Sequence, residues 1–264
     1  MKDNVVIITG ASKGIGAELA RQLAAKGSSL MLAAREVPAL EKVATECRAL
    51  GAKAEVIRTD VAVEADCKAM VERTVAAFGR VDTLVNNAGM TMWARFEDIE
   101  DMSILERLMQ VNYMGSVYCT RHALPHLKRS RGRIVGVASL TGLTGVPTRS
   151  GYAAAKHAMR GFFDSLRIEL ADSGVTVTMI YPGFVATGVR ENATGPDGKP
   201  IQVDPVKENE VMSVGECARI TAKAIEGRRR EVVMTARGKI AAWIKLVAPG
   251  LVDNIARRAI EKAR

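Results

Sequence analysis

Tyr152 and Lys156 stand four residues apart in the run Tyr152-Ala153-Ala154-Ala155-Lys156. On a helix that spacing puts both side chains on one face, one turn apart. A phenol ordinarily titrates near pH ~10 and is a poor acid–base group at neutral pH. A neighbouring ammonium favours the phenolate, and a fall of roughly two pH units corresponds to about 2.7 kcal/mol. Taken alone, the pair reads more readily as a buried tyrosine beside a surface lysine. Ser139, thirteen residues upstream, together with Asn112 and a glycine-rich loop near the start of the chain, turns the balance toward proton transfer.

That loop is Thr9-Gly10-Ala11-Ser12-Lys13-Gly14-Ile15-Gly16. Gly10 permits a sharp turn, Gly14 lets backbone approach a pyrophosphate, and Gly16 lets the following helix pack close to the sheet. The helix N-terminus offers N–H groups and the positive end of its dipole to phosphates. The same residues also suit a plain turn, but their place between a strand and a helix favours a dinucleotide. Arg35 follows 19 residues after Gly16, in Ala33-Ala34-Arg35, where the adenosine ribose belongs. NAD sites usually carry a carboxylate there. Arg35 and Lys13 suit a 2′-phosphate and so NADP. The alternatives are two solvated cations, or a Glu36 that turns inward rather than opening the next helix.

The elements that position these groups are legible as short apolar runs: Val5–Thr9, Leu30–Ala34, Ala54–Thr59, Thr83–Asn86, Arg133–Ala138, Val175–Ile180 and Glu231–Met234. Consecutive apolar positions predict strands covered on both faces. Between them lie helical periodicities such as Ile15, Leu19, Leu23. The β-α-β order predicts an α/β fold with a parallel sheet and helices on both faces. The stretch from Thr194 to Pro200, rich in Gly, Pro and Asp, predicts a mobile excursion.

With these motifs the chain resembles the short-chain dehydrogenase/reductase family. The glycine spacing is GxxxGxG, Asp60-Val61 follows the third strand, and Asn86-Asn87-Ala88-Gly89 ends the fourth. Asn112 lies in the next helix, Ser139 ends the fifth strand, Tyr152-x-x-x-Lys156 opens a helix, and Pro182-Gly183 with Thr187 follows the sixth strand. The resemblance covers residues 5 to about 235. It implies a single Rossmann-type, doubly wound domain over 1–236, beyond which 237–264 is an extension absent from many members. It implies the catalytic set Asn112, Ser139, Tyr152 and Lys156. Tyr152 would exchange a proton with the carbonyl oxygen and Ser139 would orient that oxygen. Lys156 would lower the Tyr152 pKa and hold ribose hydroxyls, and Asn112 would position a relay water. The dinucleotide would touch Gly10, Ser12, Lys13, Gly14, Ile15, Gly16 and Arg35. Further along it would meet Asp60, Val61, Asn87, Ala88, Gly89, Tyr152, Lys156, Pro182, Gly183 and Thr187. Asn87 has a second reading as a tie between neighbouring strands.

The 264 residues carry 48% hydrophobic and 25% charged side chains, which excludes a disordered or disulfide-scaffold chain. The net charge is +9, but residues 237–264 hold seven basic and two acidic side chains, so the body is only mildly basic. With 4% aromatic residues there is little to stack bases, and no nucleic-acid partner is expected. Cys47, Cys67, Cys119 and Cys217 form no CxxC pair and read as buried thiols. His122 and His126 flank Pro125 without an obvious third ligand, so no metal is expected. Met90, Met92, Trp93, Leu140, Leu143 and the segment from Phe184 to Val214 are candidate pocket walls for an apolar ketone or alcohol, with lid packing as the alternative. In the extension, Ile240, Trp243, Ile244, Val247 and then Leu251, Val252, Ile255, Ala256, Ala259, Ile260 predict two basic amphipathic helices broken at Pro249-Gly250. They would pack on protein or lie peripherally on a membrane. No signal peptide or spanning run is legible, so a cytoplasmic location is expected. The expected function is an NADP(H)-dependent oxidoreductase on a lipophilic or steroid-like secondary alcohol/ketone, as a homodimer or homotetramer. A 3-oxoacyl-carrier-protein reductase, or an NADP-binding scaffold or redox sensor without turnover, is the alternative.

Overall fold

A computed structural model of the chain describes residues 1–188, 193–202 and 211–261. The first half runs β1 (Val5–Thr9), α1 (Gly14–Ala24), β2 (Ser29–Ala34), α2 (Val37–Ala49), β3 (Ala54–Arg58), α3 (Glu64–Phe78) and β4 (Thr83–Asn86). Then come α4 (Ser103–Met109), a π-helical turn (Gln110–Met114), α5 (Gly115–Ser130), β5 (Arg133–Val137), α6 (Ser150–Glu169) and β6 (Thr176–Tyr181). The chain continues with α7 (Val214–Glu226), β7 (Glu231–Val233), α8 (Ala236–Val247) and α9 (Pro249–Glu261). The strands form one parallel sheet in the order β3-β2-β1-β4-β5-β6-β7. The seven expected strands are present, with ends shifted by no more than a residue.

Both faces of the sheet are covered, which is why its strands are continuously apolar. In β1, Val6 and Ile8 pack with Leu19, Leu23 and Leu40 of α1 and α2, while Ile7 packs with Met70, Leu127 and Phe163 of α3, α5 and α6. All of these side chains are fully excluded from water. Each such burial is worth about 1.5–3 kcal/mol before chain entropy is set against it. The carboxylate of Asp82 fastens the start of β1, accepting from the Val5 N–H at 2.9 Å while Arg80 pairs with its other oxygen at 2.6 Å. The strand order reverses between β1 and β4, and a crevice opens there at the carboxyl ends of the strands.

Two expectations change. The segment 194–200 is held rather than free: Thr194 bridges Met92 and Pro200, and the Trp93 N–H donates to Thr194 O at 2.9 Å. The parts of the candidate lid at 189–192 and 203–210 lie outside the described residues. Pro249 begins α9 rather than merely breaking a pattern, as its preset φ and missing N–H allow.

Candidate active site

The crevice encloses about 930 Å³. Apart from Gly16, every site residue expected from the sequence lines it. Gly10 (φ +65°) and Gly14 (φ +58°) hold backbone that L side chains rarely adopt. Gly16 lies just beneath, where a Cβ would stand 2.4 Å from Gly10 O and 2.6 Å from Asn87 Nδ2. Helix α1 starts at Gly14 with no side-chain cap, so its first N–H groups remain available at the crevice. The Asn87 amide donates to Thr9 O at 2.9 Å and Gly10 O at 3.2 Å, and the Asn87 and Ala88 N–H groups both donate to Thr9 Oγ1 at 3.0 Å. Asn87 thus ties β1 to β4 beneath the glycine turn, in line with its second reading.

Past β2, Arg35 and Glu36 are both exposed and line the crevice, as does Lys13 of the glycine loop. Glu36 does precede α2, but it also lines the crevice. Asp60 folds its carboxylate onto the Ala62 N–H at 3.0 Å, which fixes the turn that carries Val61. At the far side, Leu140 N–H donates to Pro182 O at 3.0 Å and locks the Ser139 loop to the end of β6. Thr187 sits over the glycine loop, its Cγ2 3.2 Å from where a Gly14 Cβ would stand.

Asn112 is not in a regular α-helix. It sits in the π-helical turn between α4 and α5, the kind of one-residue widening that often marks a functional site. Its amide donates to Met90 O and Leu108 O, each at 3.0 Å. Its Oδ1 is buried without a partner among the described residues, beside Gly89 and close to Lys156. A bare Gly89 leaves that oxygen room, since a Cβ there would stand 2.7 Å from it.

Helix α6 presents Tyr152 and Lys156 to the crevice as the four-residue spacing requires, with the Lys156 Nζ 5.7 Å from the Tyr152 ring centre. Lys156 is buried, donates to Val137 O at 3.0 Å, and burial pushes its ammonium down to about 8. Burial pushes the Tyr152 phenol up, while the Arg149 cation and a hydrogen bond from Ser139 pull it down. Ser139 Oγ accepts from the Thr141 N–H at 3.2 Å, which leaves the serine proton to be donated. Two cations stand near the phenol ring, the Lys156 ammonium at 5.7 Å and the Arg149 guanidinium at 5.9 Å from its centre, and Arg149 is a residue the sequence reading passed over. Its place three residues before Tyr152, one helical turn away, was the available signal.

The other candidates fall away from the crevice. Met92 is fully buried among Ala94, Ile104 and Leu108, and Trp93 lies under Arg149, so neither is a wall residue. His122 meets Glu64 Oε1 of α3 at 3.1 Å and His126 meets Arg129 at 2.7 Å. Among the described residues no three ligating side chains gather. His157 turns back onto Ala153 O. All four cysteines are buried.

Sequence reading also missed that α8 and α9 complete the crevice. The inner face of α8 is made of small residues: a Cβ on Gly238 would meet Leu140 at 2.5 Å, Ala242 packs on the core, and Lys245 reaches Leu143 O at 3.1 Å. Ala241, Val252, Ile255 and Ala256 line the mouth. The stripe of Ile240, Trp243 and Val247 faces outward instead, with Trp243 74% and Val247 84% exposed.

Comparison with known proteins agrees with this geometry. The short chain dehydrogenase family profile matches residues 4–197. An 11-beta-hydroxysteroid dehydrogenase-like protein 4A of Arabidopsis thaliana is 40% identical over 255 residues, covering 96% of this chain and 84% of that protein. A dehydrogenase/reductase SDR family protein 7-like of Dictyostelium discoideum is 35% identical over 263 residues, covering 97% and 82%. Among solved structures, a short chain dehydrogenase/reductase from Burkholderia phymatum in complex with NAD superposes with a TM-score of 0.85 at 26% identity, covering 95% of each chain. An alcohol dehydrogenase from Thermococcus sibiricus complexed with 5-hydroxy-NADP gives 0.76 at 27% identity, covering 88% of this chain and 95% of that one. The chain belongs to the short-chain dehydrogenase family.

Proposed function

We propose that the protein is an NADP(H)-dependent oxidoreductase that interconverts a secondary alcohol and a ketone on a lipophilic, steroid-like substrate. The observation that carries this reading is the meeting of Ser139, Tyr152 and Lys156 in one crevice with the glycine loop, at the point where the strand order reverses. The residues fit a nicotinamide dinucleotide: the Gly10–Gly14 turn leaves room for a pyrophosphate, and Asn112 Oδ1 and Lys156 Nζ lie buried beside bare Gly89. Lys13, Arg35, Asp60, Val61, Asn87, Ala88, Thr187 and the Pro182-Gly183 turn would hold it. When bound, the cofactor supplies or accepts the hydride.

The protein's own part is positioning and proton handling. Ser139 donates to the substrate oxygen and fixes its orientation. Tyr152 gives that oxygen a proton in reduction and takes it back in oxidation. Lys156 and Asn112 hold a route for the proton away from the phenol. Arg35 and Lys13 favour the 2′-phosphate, against the opposing charge of Glu36.

A lipophilic substrate is supported by the walls: Met90, Leu140, Leu143, Val146 and Phe184 face the crevice, closed by Ala241, Val252 and Ile255. Relatives named 11-beta-hydroxysteroid dehydrogenases point the same way. Residues 1–236 form the catalytic body in this reading and 237–264 an extension that finishes the pocket. The extension's outer face (Ile240, Trp243, Leu246, Val247, Leu251) is apolar, and Lys239, Arg257 and Arg258 are exposed beside it. That pairing of charge with apolar surface suits a peripheral contact with an anionic lipid surface. Among the described residues no helix is long and apolar enough to cross a membrane.

The test is a panel of ketones, from small to steroidal, with NADPH or NADH, followed by loss of the reduced nicotinamide absorbance. NADPH-dependent turnover of the bulky apolar ketones, abolished in Tyr152→Phe with nucleotide binding intact, is the expected result. Undiminished turnover in Tyr152→Phe refutes the assignment.

A further inference from the structure

The loop that carries Ser139 is gripped on three sides. From the end of β6, Pro182 O accepts from the Leu140 N–H at 3.0 Å. From α6, the backbone comes so close that a Cβ on Gly142 would stand 3.1 Å from Lys156 O. The third side is α8. Its residues Gly238, Ala241, Ala242 and Lys245 follow the i, i+3, i+4, i+7 spacing of one helical face. A Cβ on Gly238 would stand 2.5 Å from Leu140 Cδ2, and the Lys245 ammonium donates to Leu143 O at 3.1 Å. Between them Ala242 packs, as Leu140 does, on the core cluster that holds Leu143. Thr235 Oγ1 accepts from the Gly238 N–H at 3.0 Å and fixes where α8 begins. Glycine is a poor helix former, so its place in the first turn of α8 answers to the lack of space beside Leu140. Gly238 and Lys245 both lie beyond residues 4–197, the part that the family profile matches.

We propose that Gly238 and Lys245 are positioning residues for Ser139: through Leu140 and Leu143 they set where the turn after β5 holds the serine hydroxyl. The proposal rests on the reading of Ser139 as the group that orients the substrate oxygen. Ser139 is extended and caps the tight turn Leu140–Gly142, with its Oγ accepting from the Thr141 N–H at 3.2 Å. The direction of the hydroxyl therefore follows the turn, and a shift of the turn carries the hydroxyl with it. The same hydroxyl bonds the Tyr152 phenol. Slack in the turn is thus felt at the substrate oxygen and at the proton donor together. A misplacement of about 1 Å in a group that orients reacting atoms costs on the order of 100-fold in rate. The side of α8 made of small residues lets the helix come close enough to brace the turn, and the long lysine stem carries a donor to the turn's far end. The extension therefore does more than wall the pocket: it braces a catalytic loop that belongs to the body of the domain.

The test uses the full chain with NADPH and the ketone of the panel that it reduces fastest. Gly238→Ala brings a methyl about 1 Å inside ordinary contact with Leu140 and pushes the turn away from α8. Its kcat is expected to fall by about 10–100-fold, while KM for the ketone and the affinity for NADPH change little. Lys245→Met keeps the stem and removes the donor, so kcat should fall by about 2–10-fold, and Lys245→Arg should restore most of it. Amide hydrogen exchange of the cofactor-free protein reads the same brace without turnover. In Lys245→Met exchange across residues 140–144 should quicken by about 2–10-fold, with β1 and β4 unchanged. Unchanged kcat in both Gly238→Ala and Lys245→Met, or a loss that falls on KM alone, overturns the proposal, as does faster exchange spread over the whole sheet. Absence of turnover of every ketone by the parent would instead overturn the reading of Ser139 on which the proposal rests. Exchange at the turn is read without substrate, so the two failures are distinguishable.

Discussion

Replacing Lys156 by methionine should make the cofactor-free protein more stable at neutral pH while abolishing its activity. Lys156 is 3% exposed, its ammonium donates to Val137 O, and among the described residues it forms no ion pair. Burial lowers its pKa from the ordinary 10.5 to about 8. The unfolded chain therefore binds the lysine proton more tightly than the folded one between about pH 8 and 10.5. Through that window stability rises with pH, and below about pH 8 the full penalty for folding around the charge is present. The gap corresponds to about 3 kcal/mol. Methionine has similar length and no charge, so it removes the penalty. It also leaves Val137 O without its donor, which costs about 1–2 kcal/mol.

The net expectation at pH ~7 is a gain of about 1–2 kcal/mol, and by pH ~10 the gain vanishes or reverses as the parent sheds its proton. Urea unfolding of both proteins at several pH values reads this as two lines that converge and cross. The comparison cancels the other groups that burial pushes upward, such as Cys47 to about 11 and Tyr181 to about 12, because both proteins carry them. A variant less stable than the parent at neutral pH, or one whose pH slope parallels it, would refute the reasoning. The strain would then be a property of the whole crevice rather than of this ammonium.

Three further outcomes follow from the same geometry. Gly16→Ala forces a Cβ to within 2.4 Å of Gly10 O, a backbone atom that cannot swing aside, so stability should fall by about 1–3 kcal/mol in urea titrations, with nucleotide binding lost in parallel. Unchanged unfolding would show that the helix–turn contact is slack. Arg35→Ala should weaken NADP binding by about 1.5–3 kcal/mol and NAD binding little, read by calorimetry, and equal losses for both would remove Arg35 from the 2′-phosphate site. The full chain should co-sediment with anionic vesicles more than a version ending at Ala236, and the difference should shrink as salt rises, about 1 kcal/mol per basic residue at the surface. No salt-sensitive difference would leave α8 and α9 as pocket walls alone.

The sheet was legible because both of its faces are buried. Val5–Ile8 and the Leu84-Val85 centre of β4 read as consecutive apolar positions for the same reason that Ile7 and Ile8 can point in opposite directions and both lie in core. The glycine loop and the Tyr-Lys pair were legible because their geometry is local: a turn, and one helical repeat. What covers the extension was left open between protein and lipid. Its apolar stripe, Ile240-Trp243-Val247, scores as the buried face of an amphipathic helix, yet the body accepts the side with Gly238, Ala241 and Ala242. Close approach to the Ser139 loop leaves no space for large side chains there, and hydrophobicity alone does not encode that steric demand.

Arg149 escaped for a related reason. An arginine at the start of a helix ordinarily belongs in solvent, and nothing within ten residues of it in the chain announces Thr91, Trp93 or Phe184 as its enclosure. The cage exists only once β4 and β6 are brought to either side of β5, so that the turns after them converge on the first turn of α6. Burying a guanidinium is expensive unless its hydrogen bonds and stacking are arranged for it, and Thr91, Trp93 and Phe184 supply part of that arrangement. Lys156 repeats the pattern one turn further along: an ammonium held in a site that lowers its pKa. Lys156 and Arg149 come within 5.7 and 5.9 Å of the Tyr152 ring centre, and a charge that close counts for most where water is excluded.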